Sequence, residues 1–184
     1  MRILMLIALL LTLAGCSASR DATRGSGAGG AGAPDSSAVL EAVPPLMTDD
    51  SAVAAVHRLE SDPLDSAAAL LRAPLFSWMI ASDRLNGFQA ITLPVDELSE
   101  GNNPYANELV MQYMLGCAAW HVSQSPGAID AIEEEAAGIR SMIAAYRTMV
   151  RIDPSLRDPF LDRLDDIRRR GDLRSYIEHA NKSR

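Results

Sequence analysis

Apolar residues return every three or four positions along most of the chain after residue 50, the period of an amphipathic helix. The longest stripe runs Ile129, Ile132, Ala136, Ile139, Ile143, Tyr146 and Val150. It predicts a helix over about residues 128–152, with glutamates 133 to 135 near its start and Arg147 and Arg151 near its end, as the helix dipole favours. Before it, Val110, Tyr113, Cys117 and Trp120 repeat at the same spacing behind Asn103 as cap and Pro104 as first helical residue, with Gly127 past the end. After it, Asp158-Pro159 opens a helix with Phe160, Leu164 and Ile167 on one face; Gly171 stops it, and Asp172 caps a last short helix carrying Leu173, Tyr176 and Ile177. Towards the N-terminus, Asp49 or Asp50 caps a stripe of Val53, Val56 and Leu59 (or His57). Asp62, with Pro63 at the first position, opens the next helix; Pro74 breaks or restarts it, and Asn86-Gly87 ends it.

Residues 88–98 are the one stretch with strand chemistry, in Ile91, Thr92, Leu93 and Val95, but Pro94 interrupts it and no second strand is there to pair with it. It reads as an extended or looped connection. The expected fold is all-α: a single helical domain of about five to seven helices in antiparallel pairs, after a disordered N-terminal tether.

The first residues follow a different pattern. Arg2 precedes an almost unbroken apolar run from Ile3 to Leu13, the length of a secretory hydrophobic region and too short for a membrane span of about 20 residues. Leu13, Ala14, Gly15 and Cys16 follow. This stretch resembles the bacterial lipoprotein signal, and these four residues match its lipobox at every position. The resemblance implies that the Cys16 sulfur receives a diacylglyceryl group, that residues 1–15 are removed, and that the new amine is acylated too, with palmitate as a representative chain. Two or three acyl chains, at about 0.8 kcal/mol per buried methylene, hold a domain at a membrane where one does not. Ser17 is not the aspartate that retains enteric lipoproteins at the inner membrane, so the resemblance points to the outer membrane, on either its periplasmic or its surface face.

Residues 17–37 hold no large apolar side chain and are mostly Gly, Ala and Ser. Such a segment cannot bury enough surface to offset its ordering entropy. It is expected to be a flexible leash spanning about 25 Å. The organisation is therefore signal peptide 1–15, lipidated tether 16–38 and helical domain 39–184. Without residues 1–15, whose only charged side chain is Arg2, the chain carries 16 basic and 24 acidic residues, a net charge of −8. That excludes a nucleic-acid binder on electrostatic grounds. With Cys16 lipidated, Cys117 has no intrachain partner and is expected to be buried and inert.

Catalytic and metal-binding patterns are missing. Cys117 and His121 share a helical face, but no HExxH or CxxC supplies further ligands, so no metal and no cofactor beyond the lipid on Cys16 is expected. There is no GxSxG, SxxK or phosphate-binding loop, and the glycines of residues 25–32 read as linker. Glutamates 133 to 135 spread around a helix as a solvated face would. Asp165 with Arg169, and Asp166 with Arg170, stand at i,i+4 pair spacing. Arg168 to Arg170 suit a helix C-terminus, or else a phosphate or an acidic partner. Trp78, Tyr105, Tyr113 and Trp120 are candidates for a binding surface, since Tyr and Trp are frequent hot spots; at helical spacing they also suit a core.

Leu115-Gly116, with Tyr146, Met149 and Pro154, is similar to positions of a tetratricopeptide hairpin. The two groups stand 39 residues apart from Leu115 to Pro154, against about 25 within one repeat, and no second copy follows. The similarity implies a helix pair of that kind rather than membership of the family. Anchor, leash, helix pairs and the missing catalytic set together lead to a non-catalytic interaction module that docks a protein partner. Alternatives are a small-ligand-binding lipoprotein, or an accessory to envelope enzymes acting on peptidoglycan or lipid.

Overall fold

Thr48 starts the first helix of the computed structural model, which describes residues 47–86, 88, 97–98, 101, 103–125 and 127–182. Its hydroxyl accepts from the Ser51 N–H at 3.3 Å, so Asp49 and Asp50 fall in the first turn instead of capping it. Asp49 is thereby free to accept from Trp78 Nε1 at 2.8 Å. Six α-helices and no strand occur among the described residues: α1 (Asp49–Ser61), α2 (Ser66–Ala81), α3 (Ala106–Ser123), α4 (Ala131–Ile152), α5 (Pro159–Arg170) and α6 (Leu173–Lys182). Single 3₁₀ turns lie at Asp83–Leu85 and Pro154–Leu156. The expected all-α domain is what the chain forms. The tether and signal segments fall outside the described residues. So does most of the possible strand at 88–98, of which Glu97 and Leu98 are helical.

Several helix ends differ from the sequence reading. Asp62 and Pro63 form a turn, and Asp65 caps α2 by accepting from the Ala67 N–H. Pro74 neither breaks nor restarts α2, which continues through it to Ala81. α4 starts at Ala131 because Asp130 accepts from the N–H groups of Ile132 and Glu133. Other signals act as read. Asp158 caps α5 with Pro159 first, and Gly171 ends it at φ +80°. Asn103 and Pro104 do not act as read: they lie in the turn before α3, where Asn103 accepts from the Tyr105 N–H, and the helix begins at Ala106 with Tyr105 as its N-cap.

α3 and α4 form the central pair, and α1 packs on both. α2 lies against α1 and α3, while α5 and α6 pack on α4. Two cores result. One gathers Leu109, Tyr113, Ile139, Ile143, Leu161 and Ile177 around α4. The other gathers Val56, Leu59, Leu75, Trp78, Leu115 and Val122 between α1, α2 and α3. α3 serves both, which is why it is apolar nearly all round. Tyr146 ties α4 to the start of α5: its hydroxyl donates to Asp162 at 2.8 Å and accepts from the Asp158 N–H at 2.9 Å. Burial pushes that phenol up to about 12.

Two glycines set how closely α3 and α4 approach. A Cβ on Gly116 would overlap the Ser141 side chain. One on Gly138 would overlap Cys117 Sγ and stand 2.8 Å from the Tyr113 carbonyl oxygen. Helix propensity alone would make Gly138→Ala stabilising by about 1 kcal/mol. The backbone on the far side cannot yield, so overpacking reverses the sign. Gly138→Ala should lower the unfolding free energy by about 1–3 kcal/mol in urea titration.

Candidate functional site

Three helices each present residues at i, i+3, i+4 and i+7 to one shallow groove of about 430 Å³. α1 gives Val53, Val56, His57 and Glu60; α3 gives Gly116, Ala119, Trp120 and Ser123; α4 gives Ala137, Arg140, Ser141 and Ala144. That spacing lays four side chains along one stripe of a helix. The groove is open because α3 and α4 carry small residues here and α1 stands off across the gap. Its floor is glycine and alanine, Trp120 forms an aromatic wall, and charged groups stand at its rim.

A polar chain crosses the groove between the helices. Gln112, 4% exposed, donates through Nε2 to Ser141 Oγ at 2.8 Å and to the Val56 carbonyl at 3.3 Å. Ser141 Oγ donates to Glu60 Oε1 at 2.6 Å. Glu60 Oε2 is 3.1 Å from His57 Nδ1. The Glu60 carbonyl accepts from Thr148 Oγ1 at 3.1 Å. The order is serine, carboxylate, imidazole. In the commonest serine nucleophiles a histidine nitrogen stands next to the hydroxyl. Here a carboxylate takes that place, and the Ser141 oxygen is used as both donor and acceptor. The chain therefore fixes α1 on the α3–α4 pair and presents Glu60 and His57 at the rim. Arg140, also at the rim, pairs with Glu133 at 2.9 Å.

A second polar cluster lies where α4 begins. His121 Nδ1 is 2.8 Å from Glu134 Oε2, with side chains 17% and 10% exposed. The Phe88 ring meets His121 edge-on at 5.8 Å. Glu135, 2% exposed, accepts from Asn181 Nδ2 at 3.5 Å. The expectation that glutamates 133 to 135 form a solvated face is thus corrected. Glu134 and Glu135 are buried because α3 supplies a histidine and α6 covers them, while Glu133 remains partly exposed and pairs with Arg140 and Arg174.

Cys117 and His121 do not converge on a metal. Cys117 is buried against Gly138, and burial together with the Glu134 charge pushes its thiol up, away from thiolate chemistry. Among the described residues no group of three or more His, Cys, Asp or Glu could hold a metal ion.

The four aromatic candidates separate. Trp78 and Tyr113 are enclosed in the two cores, and Tyr105 is half-buried against the first. Trp120 lines the groove. Sequence reasoning missed Glu60, Arg140 and Ser141. The available signal was polar residues inside buried stripes, Gln112 in α3 and Ser141 in α4. On α5 the charges pair at i+3 instead of i+4, Arg168 with Asp165 and Arg169 with Asp166, because Asp172 takes Arg170. No protein-family model, curated protein or solved structure matches the chain.

The Glu134 carboxyl is pushed up by burial, partly offset by its hydrogen bond with His121. A carboxyl raised in the folded state binds more protons folded than unfolded, so its contribution to stability is lost as pH rises from its ordinary 4.5 through the raised value. Glu134→Gln stays neutral throughout. Urea unfolding should show the variant gaining on the wild type as pH rises through that window; a pH-independent difference would contradict this.

Proposed function

We propose that the chain is a lipid-anchored protein of the cell envelope, held at the outer membrane through Cys16, whose helical domain docks a protein partner through the α1–α3–α4 groove. The observation that carries this reading is the groove's composition. A glycine and alanine floor accepts an inserted side chain, Trp120 supplies the kind of aromatic contact that dominates interfaces, and His57, Glu60 and Arg140 form a polar rim. The serine chemistry of the groove is committed to holding the helices, which favours docking over catalysis. The lipobox match at residues 13–16 supports the anchor, and the Gly/Ala/Ser segment after it supports a leash long enough to let the domain search for its partner.

A second reading rests on size. The groove volume falls at the low end of the range of small-molecule sites, about 300–1,000 Å³. A small amphiphile with an apolar body against Trp120 and a hydrogen-bond donor to Glu60 would suit it.

One experiment in cells addresses both parts. Wild type and Cys16→Ala are fed a labelled fatty acid, and a photo-cross-linking residue is placed at His57, at Trp120 or, as control, at exposed Arg163. Label on wild type alone, and one protein adduct recurring from positions 57 and 120 but not 163, is the expected result. Label on Cys16→Ala overturns the anchor. The same adducts from all three positions, or none from the groove, overturn docking there.

A further inference from the structure

We propose, on the docking reading above, that the partner of the α1–α3–α4 groove is a protein that inserts an arginine side chain, with its guanidinium on Glu60 and its flat face along Trp120. What points to it is a charge in the groove that the fold leaves without a permanent counter-charge. Glu60 is the one carboxylate among the lining residues. Its side chain is 21% exposed, and among the described residues its only ion-pair partner is His57, whose side chain is 66% exposed. A pair held that far out in water is weak and easily exchanged. The shorter bond, 2.6 Å on Oε1, comes from the neutral Ser141 hydroxyl. Oε2 carries only the exposed imidazole, at 3.1 Å.

Arg140 lines the same groove but serves another acid. Its guanidinium reaches back along α4 to Glu133 at 2.9 Å, whereas Glu60 meets α4 at Ser141 and Thr148. At about 1.5 Å per residue, the stretch from Glu133 to Ser141 sets the two sites about 12 Å apart along the helix. Glu133 also takes Arg174, at 3.2 Å, so the charges at that end are already matched. The charge of Glu60 is left for something outside the chain.

Any partner that covers the groove takes Glu60 out of water. An apolar or acidic cover would bury the carboxylate at a high cost. A neutral donor would fill its lone pairs and leave its charge. A cation does both. Arginine suits the surroundings best, because its planar guanidinium forks hydrogen bonds onto a carboxylate and stacks on an indole, while its apolar stem lies on the glycine and alanine floor. The net charge of −7 draws a basic surface at long range, so approach and anchor obey the same sign. The groove is too shallow to enclose a free guanidinium compound as small-molecule sites enclose their ligands. A side chain arrives with a backbone that covers the rest.

The test uses the purified full chain in detergent micelles, whether or not Cys16 is acylated. Capped Gly-Arg-Gly is titrated in while NMR follows the indole N–H of Trp120; that of Trp78, enclosed and bonded to Asp49, is the internal control. The comparison peptides carry citrulline, which has the shape of arginine without its charge, or glutamate. The arginine peptide should shift Trp120 and not Trp78, and bind about tenfold tighter than the citrulline peptide, the value of a charge-assisted hydrogen bond. Glu60→Gln, which keeps an oxygen for Ser141 to donate to, should erase that preference and leave citrulline binding unchanged. Helical circular dichroism checks that the variant folds, and the comparison in wild type decides without it. Equal binding of arginine and citrulline, tighter binding of glutamate, no shift at Trp120, or a preference that survives Glu60→Gln overturns the proposal. The outcome is separable from docking itself. Photo-adducts of one protein from positions 57 and 120 without an arginine preference leave docking standing and overturn the arginine anchor. An arginine preference with no protein adduct overturns docking, and with it a protein as the source of the guanidinium.

Discussion

The packing of this domain depends on one close approach, that of α3 to α4 at Gly116 and Gly138. Each glycine removes a Cβ where the opposing helix leaves no space. The approach places Ser141 against Gly116 and Cys117 against Gly138, and it fixes the register of the longest helix, α4, against α3. α1 and α2 then pack on one flank of the pair, and α5 and α6 on the other. A mid-helix glycine ordinarily weakens a helix. Here the loss is repaid in dispersion contacts between backbones, which close packing makes numerous.

The groove follows from the same contact. Small residues at 116, 119, 137 and 144 let the helices close at their bases and leave a trough beside them, and α1 forms its third side. The Gln112–Ser141–Glu60 chain spans the three helices within this trough. Buried polar chains of this kind specify one arrangement of their elements, because any other leaves the buried Gln112 amide unsatisfied. Stability and the shape of the groove are thus set by the same side chains. The His121–Glu134 contact does comparable work at the start of α4.

Much of the architecture was legible in the sequence. The α4 stripe from Ile132 to Val150, the Asp158 cap and the Gly171 stop are local signals with local causes, and each acts as read; Ile129, the first residue of that stripe, lies before the helix and is exposed. Pro74 misled because a proline midway along a helix costs hydrogen bonding at one turn, and the packing of Leu75 and Trp78 outweighs that loss. Glutamates 133 to 135 misled because burial of charge depends on partners distant in sequence, His121 and Asn181. The groove was the least legible feature. Its twelve lining residues come from three helices, and only the tertiary register brings their stripes together. Trp120 was the one candidate binding residue found in it; Trp78 and Tyr113 went to the core, as large aromatics on buried stripes do.

The central claim is that the α3–α4 contact is the last part of the fold to open. Native-state hydrogen exchange tests it most directly. Amides of α3 near Gly116 and of α4 near Gly138 should exchange only through global unfolding, with an opening free energy equal to that from denaturant titration, while α2 and α6 open at lower cost. If the α3 and α4 amides instead exchange through a cheaper partial opening while α1 or α5 remains protected, the glycine contact is not what the domain is built on.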